Sequence, residues 1–500
     1  MEKSIIIIGA GIAGLSAGCY GQMNGYNTHI FEMHTTPGGV CTAWKRKGFT
    51  IDGCMHWLLG SSPASSFYSI WEELGIIKNH TFIDHEEYVR IEGANGKSLI
   101  LYADLERLEM HMKELASEDN HSIEDFVKGI RKLVGFDLPV DKAPELYSLF
   151  DKVKVLLKVL PYLAVMQKWG KMTIRRFVER LNSPFLREVF LAPVGDRNDV
   201  SALVLMMPLA WLHQKTAGYP LGGSLRFSET IEKRYKSLGG KVDYKSAVAK
   251  ILVDNDKAVG IRLADGTEHC ADVVISAADG RTTIFDMLEG KYISDKIHGY
   301  YDNFSLYPPL LHVAYGVART FNDLPQSVSG FNLFLHEPIT VAGKELSRLP
   351  LHVYNFDPSL APEGKTVVKF MINTEWDYWE ELYKNPERYE AEKKRLANEL
   401  LAILDRRFPG LAEQVEMTDV ATPITWVRYT GNWKGSYEGW MEWLGFGKSM
   451  SKTLPGLDDF YMAGQWVEPG GGLPPAALSG RNVIQMLCKK DKKRFVTSKP

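Results

Sequence analysis

The stretch that most constrains this chain is its start, where Ser4-Ile5-Ile6-Ile7-Ile8 runs directly into Gly9-Ala10-Gly11-Ile12-Ala13-Gly14. An apolar strand that passes through G-x-G-x-x-G into a helix is the arrangement that binds a dinucleotide. Gly9 permits the tight turn off the strand, Gly11 lets the backbone approach a pyrophosphate, and Gly14 lets the helix lie close on the sheet. The phosphates then meet the helix N-terminus, where unpaired N–H groups and the helix dipole favour negative charge. A second strand is expected at Asn27–Phe31 and ends in Glu32, at the spacing where such folds hydrogen-bond a ribose diol.

The 500 residues exceed what one hydrophobic core usually supports, so two domains are expected, interleaved along the chain. Apolar content of 45% and charged content of 24% are those of a soluble globular protein. A net charge of −2 offers no polyanion-binding surface and argues against nucleic acid as a partner. Cys19, Cys41, Cys54, Cys270 and Cys488 are scattered without a C-x-x-C pair, which suits a reducing cytoplasm better than a disulfide framework. The histidines show no H-E-x-x-H or other ligand spacing, so no metal is expected. The apolar start is too short for a signal peptide, and no segment reaches the roughly eighteen apolar residues of a spanning helix.

Beyond Glu32, Pro37-Gly38-Gly39-Val40-Cys41 places two glycines where the backbone can pass close to a bulky cofactor, and Gly48-Phe49-Thr50-Ile51-Asp52-Gly53 reads as a short strand and turn. Here the chain resembles the phytoene-desaturase-like group of FAD-dependent oxidoreductases, which includes carotenoid desaturases, carotenoid isomerases and retinol saturases, within the wider family of amine oxidases. Val40 stands where that family carries Arg or Lys after its double glycine. Two later blocks extend the resemblance. Tyr219-Pro220-Leu221-Gly222-Gly223-Ser224 opens an amphipathic helix to Leu238, followed by strands at Lys241–Tyr244, Ala247–Asp254, Ala258–Leu263 and Ala271–Ile275, with Asp265-Gly266 as a hairpin turn. Tyr461-Met462-Ala463-Gly464 and Glu468-Pro469-Gly470-Gly471-Gly472-Leu473-Pro474-Pro475-Ala476-Ala477 are similar to the family's C-terminal flavin signature. The resemblance implies FAD as cofactor, with Val248 beside the adenine end, Gly464 near the phosphates, and Gly472, Leu473 and Ala476 presenting a helix start to the flavin ring. Such a helix N-terminus stabilises negative charge on a reduced flavin. No second G-x-G-x-x-G follows a strand, so no separate nicotinamide domain is expected, and the electron donor or acceptor stays open.

The expected fold class is therefore α/β. A doubly wound Rossmann-type FAD-binding domain (1–85, 220–290 and 455–500) is interleaved with an α+β substrate domain (86–219 and 291–454). Periodic apolar positions predict helices in Leu105–Leu115, Ile123–Leu133 and Tyr147–Lys168, and a charged surface helix over Pro386–Arg407. Strands are expected at Leu310–Val317, Leu351–Phe356 and Thr366–Ile372. Val153–Met166 is apolar, broken by Pro161 and flanked by lysines, which suits either a helix in a membrane interface or a lid helix packed over a substrate tunnel. The basic tail Lys489–Arg494 reads either as a further attraction to anionic lipid or as a solvated end. The location these features imply is cytoplasmic, with peripheral membrane contact.

Function is less legible. The resemblance brings the segment after Asp52-Gly53 along the flavin, which makes His56 the candidate catalytic residue. It reads either as a proton donor with a pKa near neutrality or as a structural histidine beside Trp57. Trp426, Tyr429, Trp433, Tyr437, Trp440 and Trp443 suggest a flat apolar wall for an extended ligand. The reading that follows is an FAD-dependent oxidoreductase acting on carbon–carbon bonds of a hydrophobic isoprenoid, polyene or other lipid-like small molecule. The alternatives are a redox-neutral cis–trans isomerase, an amine oxidase-like enzyme and a non-enzymatic prenyl-binding protein.

Overall fold

A computed structural model describes residues 2–192, 199–441 and 450–498. Strand β1 (Ser4–Ile8) lies at the centre of a five-stranded parallel sheet, and its four isoleucines are no more than 4% exposed. A strand covered on both faces has no polar side, which is why its sequence is an unbroken apolar run. Helix α1 (Ile12–Met23) and strand β2 (Asn27–Phe31) follow as expected. The hairpin β3 (Ala43–Arg46) and β4 (Phe49–Asp52) turns through Lys47 and Gly48, both with positive φ, the backbone twist that a two-residue hairpin requires.

The chain then leaves through β5 (Glu87–Glu92) and β6 (Ser98–Tyr102) into a helical layer of α2 (Leu105–Leu115), α3 (Asn120–Leu133), α4 (Leu149–Val159), α5 (Leu163–Gly170) and α6 (Leu203–His213). The expected single helix over Tyr147–Lys168 is two helices with a 3-10 turn at Leu160–Tyr162, because Pro161 removes a backbone donor and crowds the preceding turn. The split also separates two environments. Val159, Val165, Met166 and Trp169 enter the core of the helical layer, whereas Leu149, Phe150, Val153, Leu156, Leu157 and Leu160 point into solvent.

Helix α7 (Gly223–Ser237) leads back to β7 (Lys241–Asp243), then the antiparallel trio β8 (Val248–Asp254), β9 (Lys257–Leu263) and β10 (Glu268–Cys270), and finally β11 (Val273–Ser276). Four long strands come next: β12 (Leu310–Val317), β13 (Phe331–Val341), β14 (Lys344–Val353) and β15 (Thr366–Asn373). Strand β14 begins earlier than the apolar run suggests, since its polar first half pairs with β13 across a turn at Ala342 and Gly343. Helix α8 (Pro386–Arg407), β16 (Val415–Ala421) and α9 (Pro423–Thr430) precede β17 (Phe460–Met462) and the last helix, α10 (Leu473–Lys490).

The parallel sheet has the order β7-β2-β1-β11-β17 and so draws strands from both ends of the chain. A second sheet, β16-β12-β15-β14-β13-β5-β6, is antiparallel except where β13 meets β5. Its two faces differ. Leu311, Val313, Tyr315, Val368, Phe370 and Leu351 pack under the buried stripe of α8, which carries Leu396, Leu400 and Leu404. The opposite face looks toward the β3–β4 hairpin and carries the polar groups described below.

Helices α1 and α10 cross on the parallel sheet with no side chain between them at Gly480. A Cβ there stands 2.3 Å from the Ala13 carbonyl oxygen and 2.8 Å from the Ala17 nitrogen, both backbone atoms that no rotamer change moves away. Gly480→Ala is therefore expected to lower stability by roughly 2 kcal/mol or more through separation of the two helices. Urea denaturation of the purified variant checks this, and an unchanged midpoint contradicts the crossing.

Candidate functional site

Glu32 anchors the first half of the site. Its carboxylate is 6% exposed and accepts hydrogen bonds from the backbone N–H of Ala10 (2.7 Å) and of His34 (2.8 Å), so it lies directly beneath the Gly9–Gly11 turn. Burial raises its pKa, while the His34 and Ala10 N–H groups oppose that shift. Gly14 packs so closely that a Cβ there stands 2.0 Å from the Gly9 carbonyl oxygen. The second glycine pair adjoins this turn, since Gly38 N donates to Ala10 O at 2.8 Å and a Cβ on Gly39 stands 3.4 Å from the Gly11 Cα. Val248 opens β8 half-buried, and the strand is tied to the acid through Ser246 N, which donates to the Glu32 carbonyl at 2.8 Å.

The C-terminal block closes the other side. Gly464 N donates to Ser479 Oγ (2.7 Å), and that hydroxyl donates to Ala476 O (2.7 Å), which holds the loop after β17 against the first turns of α10. Ser16 Oγ of α1 donates to Ala477 O at 2.6 Å, so the two helix starts lie side by side. Gly472 is the N-cap of α10 with φ +97, and Leu473 and Ala476 stand half-buried on its first turn. Buried Lys452 holds Glu468, just ahead of the glycine run, in an ion pair at 2.6 Å and reaches Glu145 at 2.7 Å.

These residues fit a dinucleotide carrying a flavin. Neither α1 nor α10 has a capping side chain at its N-terminus, so α1 presents first-turn N–H groups to a ligand, whereas on α10 Pro474 and Pro475 carry none, Ala476 N donates to Gly472 O, and the Leu473 N–H is left for one. Space is left where those backbones face the site. A Cβ on Gly11 meets only Gly38 O at 3.9 Å, one on Gly472 meets only proline rings at 3.7 and 3.8 Å, and one on Gly470 meets nothing within 4 Å. Glu32 keeps an unshared lone pair on each oxygen for a diol.

The second half of the site is assembled around Asp52, which the sequence reading treats only as part of a turn. Its carboxylate is fully buried and accepts from Ser224 N (2.5 Å), Ser224 Oγ (2.7 Å), Cys54 N (2.9 Å) and Met55 N (3.0 Å). One side chain thus caps α7 and turns the chain after β4 toward His56. Its backbone carbonyl accepts a hydrogen bond from Lys369 Nζ, from the centre of β15. Lys369 is fully buried beside the Tyr354 ring, 5.4 Å from its centroid. His352 of β14 is its direct cross-strand neighbour, and His312 of β12 lies one step along the same face. His56 stacks on His352 at 4.6 Å between ring centroids. His312 faces Trp426 (5.1 Å) and Trp44 (6.4 Å). A narrow slit opens here, lined by Met55, His56, Ser327, Val328, His352, Val353, Tyr354 and Phe356.

Burial dominates the electrostatics of the cluster. Burial, reinforced by the Lys369 charge, pushes its pKa down to about 3, and burial holds His312 and His352 well below the usual range. A ring in this state is neutral at ordinary pH. The proton-bearing group of the cluster is Lys369, which burial lowers to about 8 against the opposing pull of Asp52 and Cys54.

The expected aromatic wall is divided. Trp426 joins the histidine cluster, while Trp433 and Trp440 pack with Trp466 and Tyr301 in a separate core, and Tyr429 is exposed. The cause is Gly431, whose φ of +68 ends α9 and redirects the chain. Trp443 lies outside the described residues. Cys41 and Cys54, which flank the β3–β4 hairpin, have interacting thiols at its open end. The basic tail is engaged in the fold, with Lys490 on Asp459 at 2.7 Å and Lys493 over Tyr26 at 4.2 Å. Among the described residues no group of His, Cys, Asp or Glu side chains is placed to hold a metal ion.

The depressed histidines have a measurable consequence. In the unfolded chain each takes up a proton near pH 6.5, whereas in the fold His56 waits until about 3 and the other two lie well below 6.5. Their stabilisation is therefore complete above about pH 6.5 and is lost as pH falls, each contributing a slope of up to about 1.4 kcal/mol per pH unit. Urea midpoints are expected to fall from about pH 6 downward. Loss beginning only below about pH 4.5, in the carboxylate range, contradicts the assignment.

Comparison with known proteins places these features in context. Residues 12–485 match the family described as flavin containing amine oxidoreductase. The chain is 25% identical over 491 residues to the chloroplastic prolycopene isomerase of Arabidopsis thaliana, covering 95% of this chain and 81% of that protein. It is 24% identical over 516 residues to the neurosporene-forming phytoene desaturase of Rhodobacter capsulatus, covering 96% and 93%. Among solved structures, cyclohexylamine oxidase from Brevibacterium oxydans superposes with a TM-score of 0.57 at 13% identity over 99% of this chain and 100% of the other.

Proposed function

This chain belongs to the flavin containing amine oxidoreductase family, and from that premise we propose that it is an FAD-dependent oxidoreductase acting on a carbon–carbon double bond of a polyene or related isoprenoid. The observation that carries the proposal is that one short segment, Asp52–Trp57, serves both halves of the site. Asp52 fixes the turn that leads out of the glycine cradle, and His56 forms the wall of the slit. The relatives that cover nearly the whole chain are named for carotenoid substrates, and an apolar ligand suits the Val328, Val353 and Phe356 lining. Bound FAD supplies the two-electron exchange that such chemistry needs. The chain's own part is to offer the Leu473 N–H and the positive end of the α10 dipole to negative charge, to hold His56 and His352 in a stack, and to keep Lys369 charged behind them. That fixed cation disfavours a protonated amine as substrate. The interleaved division into a cofactor domain (1–85, 220–290, 455–500) and a substrate domain (86–219, 291–454) is part of this reading.

Purified protein is expected to carry a flavin band near about 450 nm and to convert an unsaturated isoprenoid to a product differing by two hydrogens, read by mass spectrometry. A product of equal mass formed only after prior reduction of the flavin assigns the isomerase reading instead. A protein unable to take up FAD overturns both.

The finer proposal concerns how an apolar substrate arrives. No helix among the described residues is long and apolar enough to cross a membrane. Helix α4, however, exposes Leu149 (81%), Phe150 (78%), Val153, Leu156 and Leu157, with Lys152 and Lys154 beside them. An apolar stripe edged by lysines is what an interfacial helix presents to a bilayer. We read α4 as a peripheral membrane contact. The protein is expected to float with phosphatidylglycerol-containing vesicles, and the triple variant Leu149→Ser, Phe150→Ser, Leu157→Ser to remain in the soluble fraction. Parent protein that does not float contradicts this contact.

A further inference from the structure

Lys369 is a buried ammonium whose only described hydrogen bond goes to a backbone carbonyl. Among the described residues no carboxylate forms an ion pair with it, and the nearest acid, Asp52, has its carboxylate oxygens occupied by Ser224, Cys54 and Met55. More than half of the buried polar atoms that lack a partner among the described residues gather in the same region. They are both ring nitrogens of His312, both of His85, the Tyr354 hydroxyl and Trp426 Nε1. His312 faces Trp426, Tyr354 lies against Lys369, and His85 stands on Phe356 at 4.5 Å. Phe356, Tyr354, His352 and His56 are also walls of the slit.

Folded proteins leave few buried polar groups unpaired, and a buried charge without a partner is more costly still. The groups collected here are mostly donors: an ammonium, a phenol, an indole N–H and one N–H on each neutral imidazole. A site made only for a hydrocarbon has no use for them. We propose that Lys369, with Tyr354 and His352 at the slit, receives a carboxylate on the substrate, so that the preferred ligand is a polyenoic or isoprenoid acid rather than a hydrocarbon. This rests on the preceding reading that an apolar ligand enters the slit beside the flavin. The groups facing Lys369 are Asp52 and Cys54 from the hairpin side, His56 on the same segment, His312 from β12, His352 from β14 and Tyr354 just beyond its end. With the histidines neutral, Lys369 is the charge that an acid meets. Burial places its titration at about 8, so the attraction fades as pH rises through that value.

The test is titration of the flavin-loaded protein with retinoic acid and with retinol, which share one apolar skeleton, read by perturbation of the flavin spectrum. The acid is expected to bind roughly tenfold tighter at neutral pH, with the advantage disappearing above about pH 9. Lys369→Met is expected to erase the preference while the flavin band is retained, and the pH profile of the parent protein tests the same point if that variant does not fold. Equal binding of acid and alcohol at neutral pH overturns the proposal. So does a Lys369→Met protein that keeps the acid preference but has an altered flavin reduction potential, because the acceptor is then the flavin ring. If neither ligand perturbs the flavin, the broader reading of an apolar substrate beside it fails as well.

Discussion

The Asp52 carboxylate is the contact on which the arrangement of the two sheets depends. Four donors from two distant segments converge on it, and its own carbonyl takes the ammonium of a third. Each charge-assisted hydrogen bond to a buried carboxylate contributes on the order of 1.5–3 kcal/mol, and removing the acceptor leaves several N–H groups buried and unpaired. The interaction is also directional. It sets the N-terminus of α7 against the end of β4, so the segment to His56 leaves the cofactor side at a fixed angle and reaches the polar face of the seven-stranded sheet.

A second constraint acts at the other end of the cradle. Helices α1 and α10 cross at Gly480 with backbone against backbone, and this close approach sets their uncapped N-termini side by side. Two such helix starts concentrate positive potential in one place, which suits a ligand with a pyrophosphate and a ring that accepts electrons. The strands that carry these helices come from opposite ends of the chain, β1 near the beginning and β17 near the end. The cradle therefore forms only when the whole parallel sheet is complete.

What the sequence disclosed follows from the range of the interactions involved. The β1–α1 turn, Glu32 and the helix start at Gly472 are local patterns of strand, turn and cap, and reading them needs only a few neighbouring residues. The cluster around Lys369 was not legible, because its members come from strands whose register is set by pairing across the sheet. In Thr366-Val367-Val368-Lys369-Phe370-Met371 the lysine looks like an interruption in an apolar strand, and nothing nearby identifies His352 as its neighbour. The place of His56 after the Asp52 turn is visible in the sequence, but its protonation state is not, since burial by other segments sets it. The apolar stretch over residues 153–166 divides for a similar reason. Pro161 is visible, but how much of each side of the break is covered depends on α3 and α6, which pack over α5.

The seven-stranded sheet shows how one strand serves stability and chemistry together. Along β15, Val368 and Phe370 face the core beneath α8, while Lys369 stands on the other face toward the hairpin. Because side chains alternate with a period of two, a slip of one residue against β14 carries Lys369 into the apolar core and Phe370 to the histidine face. The large aliphatic and aromatic burial beneath α8 thus fixes the register that holds the cation in place. Core packing on one face of the sheet supplies the preorganisation of the site on the other, so a buried ammonium is kept where no carboxylate among the described residues forms an ion pair with it.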